Sequence, residues 1–244
     1  MDVRNLKLML EYDGTDFVGW QVQRNGRTVQ GVLQETITRI VGQDVDVIGA
    51  GRTDSGVHAR GQVANFHTSR TIDPSSLRAA LNSQLPQDVV VHSVEEADPR
   101  FHARYDAKAR KYRYQITTAL TALERRFSWY VKYHLDVALM NRAASMIVGE
   151  REFDAFCKVD ADRNHSRARV FSACWTVEGS RLSFEVCANR FLRGMVRALV
   201  GTMVDVGRGY TSLGQFDDFL ASRNPDQVGM YAPPNGLFLE EVCY

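Results

Sequence analysis

Asp54 and Arg52 stand two residues apart in Gly49-Ala50-Gly51-Arg52-Thr53-Asp54-Ser55-Gly56-Val57-His58-Ala59, a carboxylate and a guanidinium inside a glycine-rich stretch. A carboxylate held on such a loop can serve as a nucleophile or a general base. An Asp in a Thr-Asp-Ser-Gly sequence can equally be a turn residue, its side chain bonded to a nearby backbone N–H. Alternating apolar runs at residues 45–48 and 62–66 flank the stretch, which predicts strand, loop, strand. Glycine lets such a loop bend tightly and lets a ligand approach the main chain.

The elements that must position this loop can be read in order. Leu6, Leu8, Leu10 and Tyr12 alternate with Lys7, Met9 and Glu11, a strand with one packed face. Thr28 caps a helix whose apolar face is Val29, Val32, Leu33, Thr36, Ile37, Ile40 and Val41, and Gly42 ends it. Asp73-Pro74 starts a second helix, which Pro86 stops, and a strand follows around Val89–Val91. Further on, the pattern predicts a helix over 137–148 capped by Asp136 and closed by Gly149. It also predicts a hairpin through Glu178-Gly179-Ser180-Arg181, a long helix capped by Asn189, a helix over 213–222 and a closing strand over 236–243. The chain thus reads as α+β: two similar halves, residues 1–105 and 106–244, with mixed, mainly antiparallel sheets flanked by helices and a catalytic cleft between them.

Composition bounds the function. At 244 residues, 44% hydrophobic and 24% charged, this is ordinary globular material for one large domain or two smaller ones. No apolar run is long enough to span a bilayer, and the first residues lack the pattern of a signal peptide, so the cytoplasm is expected. Cys157, Cys174, Cys187 and Cys243 have no metal-ligand spacing; they read as reduced core residues, and no metal is expected. Net charge is only +1, but 25 of the 30 basic residues are Arg, whose planar fork grips phosphate and stacks on bases. A G+C-rich genome would also favour Arg.

Clustering says more. Arg100, Arg104, Lys108, Arg110, Lys111 and Arg113 face a single acid, Asp106, across residues 100–114, with Phe101, His102, Tyr105, Tyr112 and Tyr114 interleaved. Cations that track phosphates and rings that stack on bases suit looped RNA. A strand with one solvated, charged side would read similarly. A second basic loop, residues 158–169, adds Arg163 and Arg167, partly balanced by acids.

Tyr12-Asp13-Gly14-Thr15 with Gly19-Trp20-Gln21, the Arg52–Ala59 stretch, Phe101-His102-Ala103-Arg104, Lys111-Tyr112-Arg113-Tyr114, Met195-Val196-Arg197 with Gly201, and Gly236-Leu237 together resemble the TruA-type tRNA pseudouridine synthases. The motifs keep the family's order over nearly the whole chain. The family usually has Ala where this chain has Ser55.

The resemblance implies a cofactor-independent isomerase, a homodimer bridged by one tRNA, that converts uridine to pseudouridine at positions 38–40 of the anticodon stem-loop. Uracil leaves its sugar at N1, turns and rejoins through C5, after the base has left the stack. By resemblance Asp54 is the nucleophile, attacking the base or the sugar carbon or removing the C2′ proton. Arg197 is the partner that keeps Asp54 ionised, and Arg52 is a second cation of the loop. Tyr112 stacks on the extruded uracil, and Leu237 closes the other side. Phe101, His102, Arg104, Arg110, Lys111, Arg163 and Arg167 are the RNA contacts. Read without the family, Arg197 is a surface arginine, Tyr112 a buried strand aromatic and Leu237 core. Two rival classes remain: an RNA-binding protein without catalysis, and a metal-dependent hydrolase, for which few ligands lie near Asp54 beyond His58.

Overall fold

The computed structural model describes residues 3–158 and 166–244. The chain divides into two compact units, residues 1–108 with 239–244, and residues 109–238. Both are α+β with mainly antiparallel strands.

The first unit runs β1 (Arg4–Tyr12), α1 (Val29–Val41), β2 (Ile48–Gly49), β3 (His58–Thr68), α2 (Pro74–Gln84) and β4 (Val89–Ala97). Strand order is β4-β1-β3, with β10 (Leu237–Cys243) next to β3. Leu6 pairs with Phe66, Leu8 with Ala64 and Leu10 with Gln62, so the apolar face of β1 and half of β3 form one buried layer. Val29, Leu33 and Ile37 of α1 and Leu77 and Leu81 of α2 are also fully buried. Thr28 caps α1 by accepting Gly31 N–H, Gly42 ends it at φ +62°, and Asp73 caps α2 through Ser76 N–H, as their residue types require.

Two expectations about the loop's flanks change. The run at 45–48 contributes only Ile48 to a strand. Val45 and Val47 are buried, but Gln34 Oε1 accepts Val47 N–H (3.2 Å) and Gln30 Nε2 donates to Val47 O (2.8 Å). Side chains of α1 thus take the groups a neighbouring strand would have paired. On the other side β3 begins at His58, inside the stretch read as loop, and is buried on both faces from Gly61 to Phe66. Its register against β1 slips between Leu10 and Tyr12, a bulge beside the loop. There a Cβ on Gly61 would lie 2.3 Å from Glu240 O.

The second unit runs β5 (Ala109–Thr117), β6 (Trp129–Tyr130), α3 (Val137–Met146), β7 (Gly149–Glu152), β8 (Arg167–Glu178), β9 (Arg181–Ala188), α4 (Met195–Gly207) and α5 (Leu213–Ala221). Strand order is β5-β9-β8-β7, all antiparallel; β6 joins β5 in parallel. The hairpin closes at Glu178 opposite Arg181, as expected. Helix α3 packs on β8, α4 and α5.

Helix ends are where the sequence reading fails. The 137–148 helix stops at Met146, and Gly149, at φ +110°, opens a strand instead of a cap. Asn189 caps nothing: its Oδ1 accepts Arg169 N–H (2.8 Å), which ties β9 to β8. Gly194 at φ +74° starts α4, so the helix is 13 residues rather than a run from 189. Helix α5 starts at a Ser212–Gln215 capping box, a cap the sequence reading does not anticipate. Of the cysteines, all free, only Cys157 is buried; Cys174 is exposed on β8, so the set is not a core group.

Thr28→Ala removes a side-chain cap and is expected to cost about 1 kcal/mol, read as a lower urea midpoint with unchanged m-value.

Candidate active site

Two backbone segments, residues 17–20 and 53–57, converge around Asp54. Trp20 N–H donates to Thr53 O (3.1 Å), and Gly56 N–H and the Ser55 hydroxyl donate to Phe17 O (3.2 and 3.3 Å). Val57 N–H returns to Asp54 O (3.2 Å), so residues 54–57 form a turn with Gly56 at φ +76°. Asp54 is therefore a turn residue, half-buried, with Arg52 exposed on the same loop.

Beneath the loop lies a buried polar relay. Gln62 Nε2 donates to Gly51 O (2.9 Å) and approaches the Tyr12 hydroxyl (3.4 Å), which bonds the Thr53 hydroxyl (2.8 Å). Burial pushes the Tyr12 phenol well above its usual range, so it stays protonated throughout the physiological range. Trp20 sits 6.1 Å from the Tyr12 ring and covers Gly49, where a Cβ would come 2.4 Å from the indole.

The Tyr12–Gln21 motif is thus the mould in which the Asp54 loop is cast. A Cβ on Gly14 would lie 2.0 Å from Val57 O, and one on Gly19, already at φ +111°, 2.8 Å from Thr53 O. His58, buried at the start of β3, accepts Gly14 N–H on Nδ1 (3.0 Å), and Asp13 Oδ1 lies 3.1 Å from the same nitrogen. Gln62 was missed in the sequence; a polar residue on the face shared with Ala64 and Phe66 was the signal that could have found it.

In the second unit, Arg197 lies on the first turn of α4. Its Nε donates to Ala232 O (2.7 Å) while Ala232 N–H donates to Arg197 O (3.0 Å). A Cβ on Gly201 would lie 1.8 Å from Met230 O, so α4 is in backbone contact with this segment. Tyr114 donates to Pro233 O (2.7 Å); burial raises its phenol well above the usual value, and Arg197 partly offsets this. Gly236 lies against Tyr114, and Leu237 follows, buried, at the start of β10. Tyr112 is 8% exposed on β5, with Phe191 edge-on at 5.0 Å, a partner the sequence did not announce.

The expected RNA contacts divide. Phe101 packs on Tyr244 (5.0 Å), and its carbonyl accepts from Asn5 (2.8 Å) and Asn65 (3.4 Å). His102 Nδ1 accepts N–H from Arg104 and Tyr105. Arg104 is exposed. Arg110 bonds Asn189 O (2.9 Å), Lys111 pairs with Glu185 (2.7 Å), and Arg167 faces Glu150 and Glu152 (3.5 and 3.8 Å). Arg163 lies outside the described residues. Among those residues there is no group of three or more His, Cys, Asp or Glu that could hold a metal ion, and no helix long and apolar enough to cross a membrane.

Gly14→Ala places a methyl against backbone that cannot yield, and is expected to destabilise the protein by about 3 kcal/mol in urea unfolding.

The model of a family described as tRNA pseudouridine synthase matches residues 8–106 and 143–244. The chain is 40% identical to tRNA pseudouridine synthase A of Caldicellulosiruptor bescii over 99% of its own length and 100% of that protein. It is 41% identical to the enzyme of the same name from Acetivibrio thermocellus, at the same coverage. To that of Citrifermentans bemidjiense it is 41% identical over 99% and 98%. With the family's motifs folded into the mould around Asp54 and the lock around Arg197, the chain belongs to the TruA-type tRNA pseudouridine synthases, a family of isomerases.

Proposed function

We propose that this protein converts uridine to pseudouridine at positions 38–40 of the tRNA anticodon stem-loop, with Asp54 as its nucleophile. The observation that supports this most is the Asp54 turn itself. Its backbone is bound at Thr53, Asp54 and Gly56 and its side chains at Thr53 and Ser55, so the carboxylate is carried on a preorganised support.

The reaction is redox-neutral. The C1′–N1 bond breaks, a C1′–C5 bond forms, the C5 proton leaves and N1 gains one. Reaching these atoms requires an extruded base. On the second unit, Tyr112 offers the uracil a ring braced by Phe191, Leu237 offers apolar surface, and Arg197, fixed by Ala232, supplies a cation. Arg52, exposed beside Asp54, is assigned to phosphate or to the place the nucleotide vacates. The remaining RNA contacts are assigned to Phe101, His102, Arg104, Arg110, Lys111, Arg163 and Arg167. We assign the enzyme to the cytoplasm, a reading that a tRNA substrate supports, and its resemblance to the family supports a homodimer bridged by one tRNA.

Asp54→Asn keeps the shape and removes the nucleophile. It is expected to lower turnover by about 1000-fold while tRNA affinity stays within a factor of a few. Turnover near the wild-type rate would sink the assignment. Pseudouridine mapping of an unmodified tRNA after incubation with the enzyme should place the product in the anticodon arm; product confined to another arm would reject the proposed position.

A further inference from the structure

The segment after β4, residues 98–108, carries two rings with opposite fates. Phe101 is turned inward against Tyr244, with the Lys7 ammonium 5.5 Å from its centroid. Tyr105 is 76% exposed. A single exposed aromatic is ordinary, so exposure decides nothing by itself. What sets Tyr105 apart is its backing: the His102 ring lies 4.2 Å away at a 31° tilt, and the Arg104 guanidinium carbon is 5.9 Å from its centroid.

The support is over-determined. His102 Nδ1 accepts both Arg104 N–H (3.2 Å) and Tyr105 N–H (3.3 Å). His102 N–H donates to Asp106 Oδ2 (2.8 Å), and Asp106 N–H returns to His102 O (3.1 Å). Ala103 N–H donates to Asn65 Oδ1 (2.9 Å), and the Tyr244 hydroxyl to Ala103 O (2.8 Å). A ring held this way loses little freedom on binding. The charges point to the occupant. Arg100, Arg104 and Lys108 are exposed; of the segment's two acids, Asp98 accepts Arg100 N–H and lies 3.5 Å from the Arg100 guanidinium, and Asp106 accepts His102 N–H, so cations outnumber acids three to two.

We propose that Tyr105, backed by His102 and flanked by Arg104, is a stacking platform for an unpaired base of the RNA substrate, with the neighbouring cations on its phosphates. This rests on the RNA-modifying reading above and adds a residue that the basic stretch did not single out from sequence.

The test is equilibrium binding of the full-length protein to an unmodified tRNA transcript over a range of salt concentrations. Tyr105→Ala is expected to weaken binding about tenfold, and Tyr105→Phe to leave it unchanged. Both should keep the wild-type salt slope, whereas Arg104→Ala should lower it by about one unit. Tyr105→Ala binding like wild type would overturn the proposal. So would Tyr105→Phe failing as badly as Ala, because a phenyl ring stacks equally well. Altered self-association in sedimentation with unchanged RNA affinity would make the ring a protein contact and also overturn it. Wild-type protein that modifies no uridine refutes the function proposed above. Wild-type modification with unaffected Tyr105→Ala binding refutes only the platform.

Discussion

Thr53 is held from three directions, and the rest of the first unit is arranged to allow it. Its carbonyl accepts Trp20 N–H, its hydroxyl bonds Tyr12, and Gly19 lies so close that no side chain fits between. A buried polar group without a partner costs about 1–3 kcal/mol, so each of these groups restricts where the next can go. Gln62 completes the set by spanning Tyr12 and Gly51. The loop is consequently a fixed object, and Asp54 inherits a defined position from its neighbours. Being a turn residue and serving as the proposed nucleophile are compatible here: the turn fixes the backbone that carries the carboxylate.

The second unit uses the same device with different parts. The reciprocal backbone bonds between Arg197 and Ala232, the absence of a side chain at Gly201, and the Tyr114 hydroxyl on Pro233 fasten the start of α4 to the 230–236 segment. Arginine alone would be free to sample many rotamers at considerable entropic expense. Fixing one end of the guanidinium on a carbonyl removes much of that freedom in advance. The family motifs in both units are therefore largely instructions for close backbone approach, with few side chains left for chemistry.

The basic, aromatic stretch joins residues of very different burial, which composition averages. Phe101 is half-buried, and its carbonyl accepts from both Asn5 and Asn65; Tyr112 and Tyr114 are buried strand residues. Lys111 and Arg167 have carboxylate neighbours. Among the cations and rings of residues 100–114, Arg100, Arg104, Tyr105 and Lys108 are the exposed ones.

Much was legible in the chain itself. The 3.6- and 2-residue periods located α1, α2, β1 and the β8–β9 hairpin, because burial of one face leaves that imprint and local caps such as Thr28 and Asp73 act within a few residues. The loop bearing Asp54 was visible as glycines and a carboxylate between apolar runs. What tertiary structure alone decided was where non-local partners intervene. Gln30 and Gln34 dissolve a strand at Val47, Arg169 recruits Asn189 away from a helix, and Gln62 and Tyr12 meet under Thr53. Periodicity records which side of an element is buried. It holds no information about which distant group will satisfy a given N–H or C=O, and that pairing is what turns Asp54 from a residue in a loop into a positioned carboxylate.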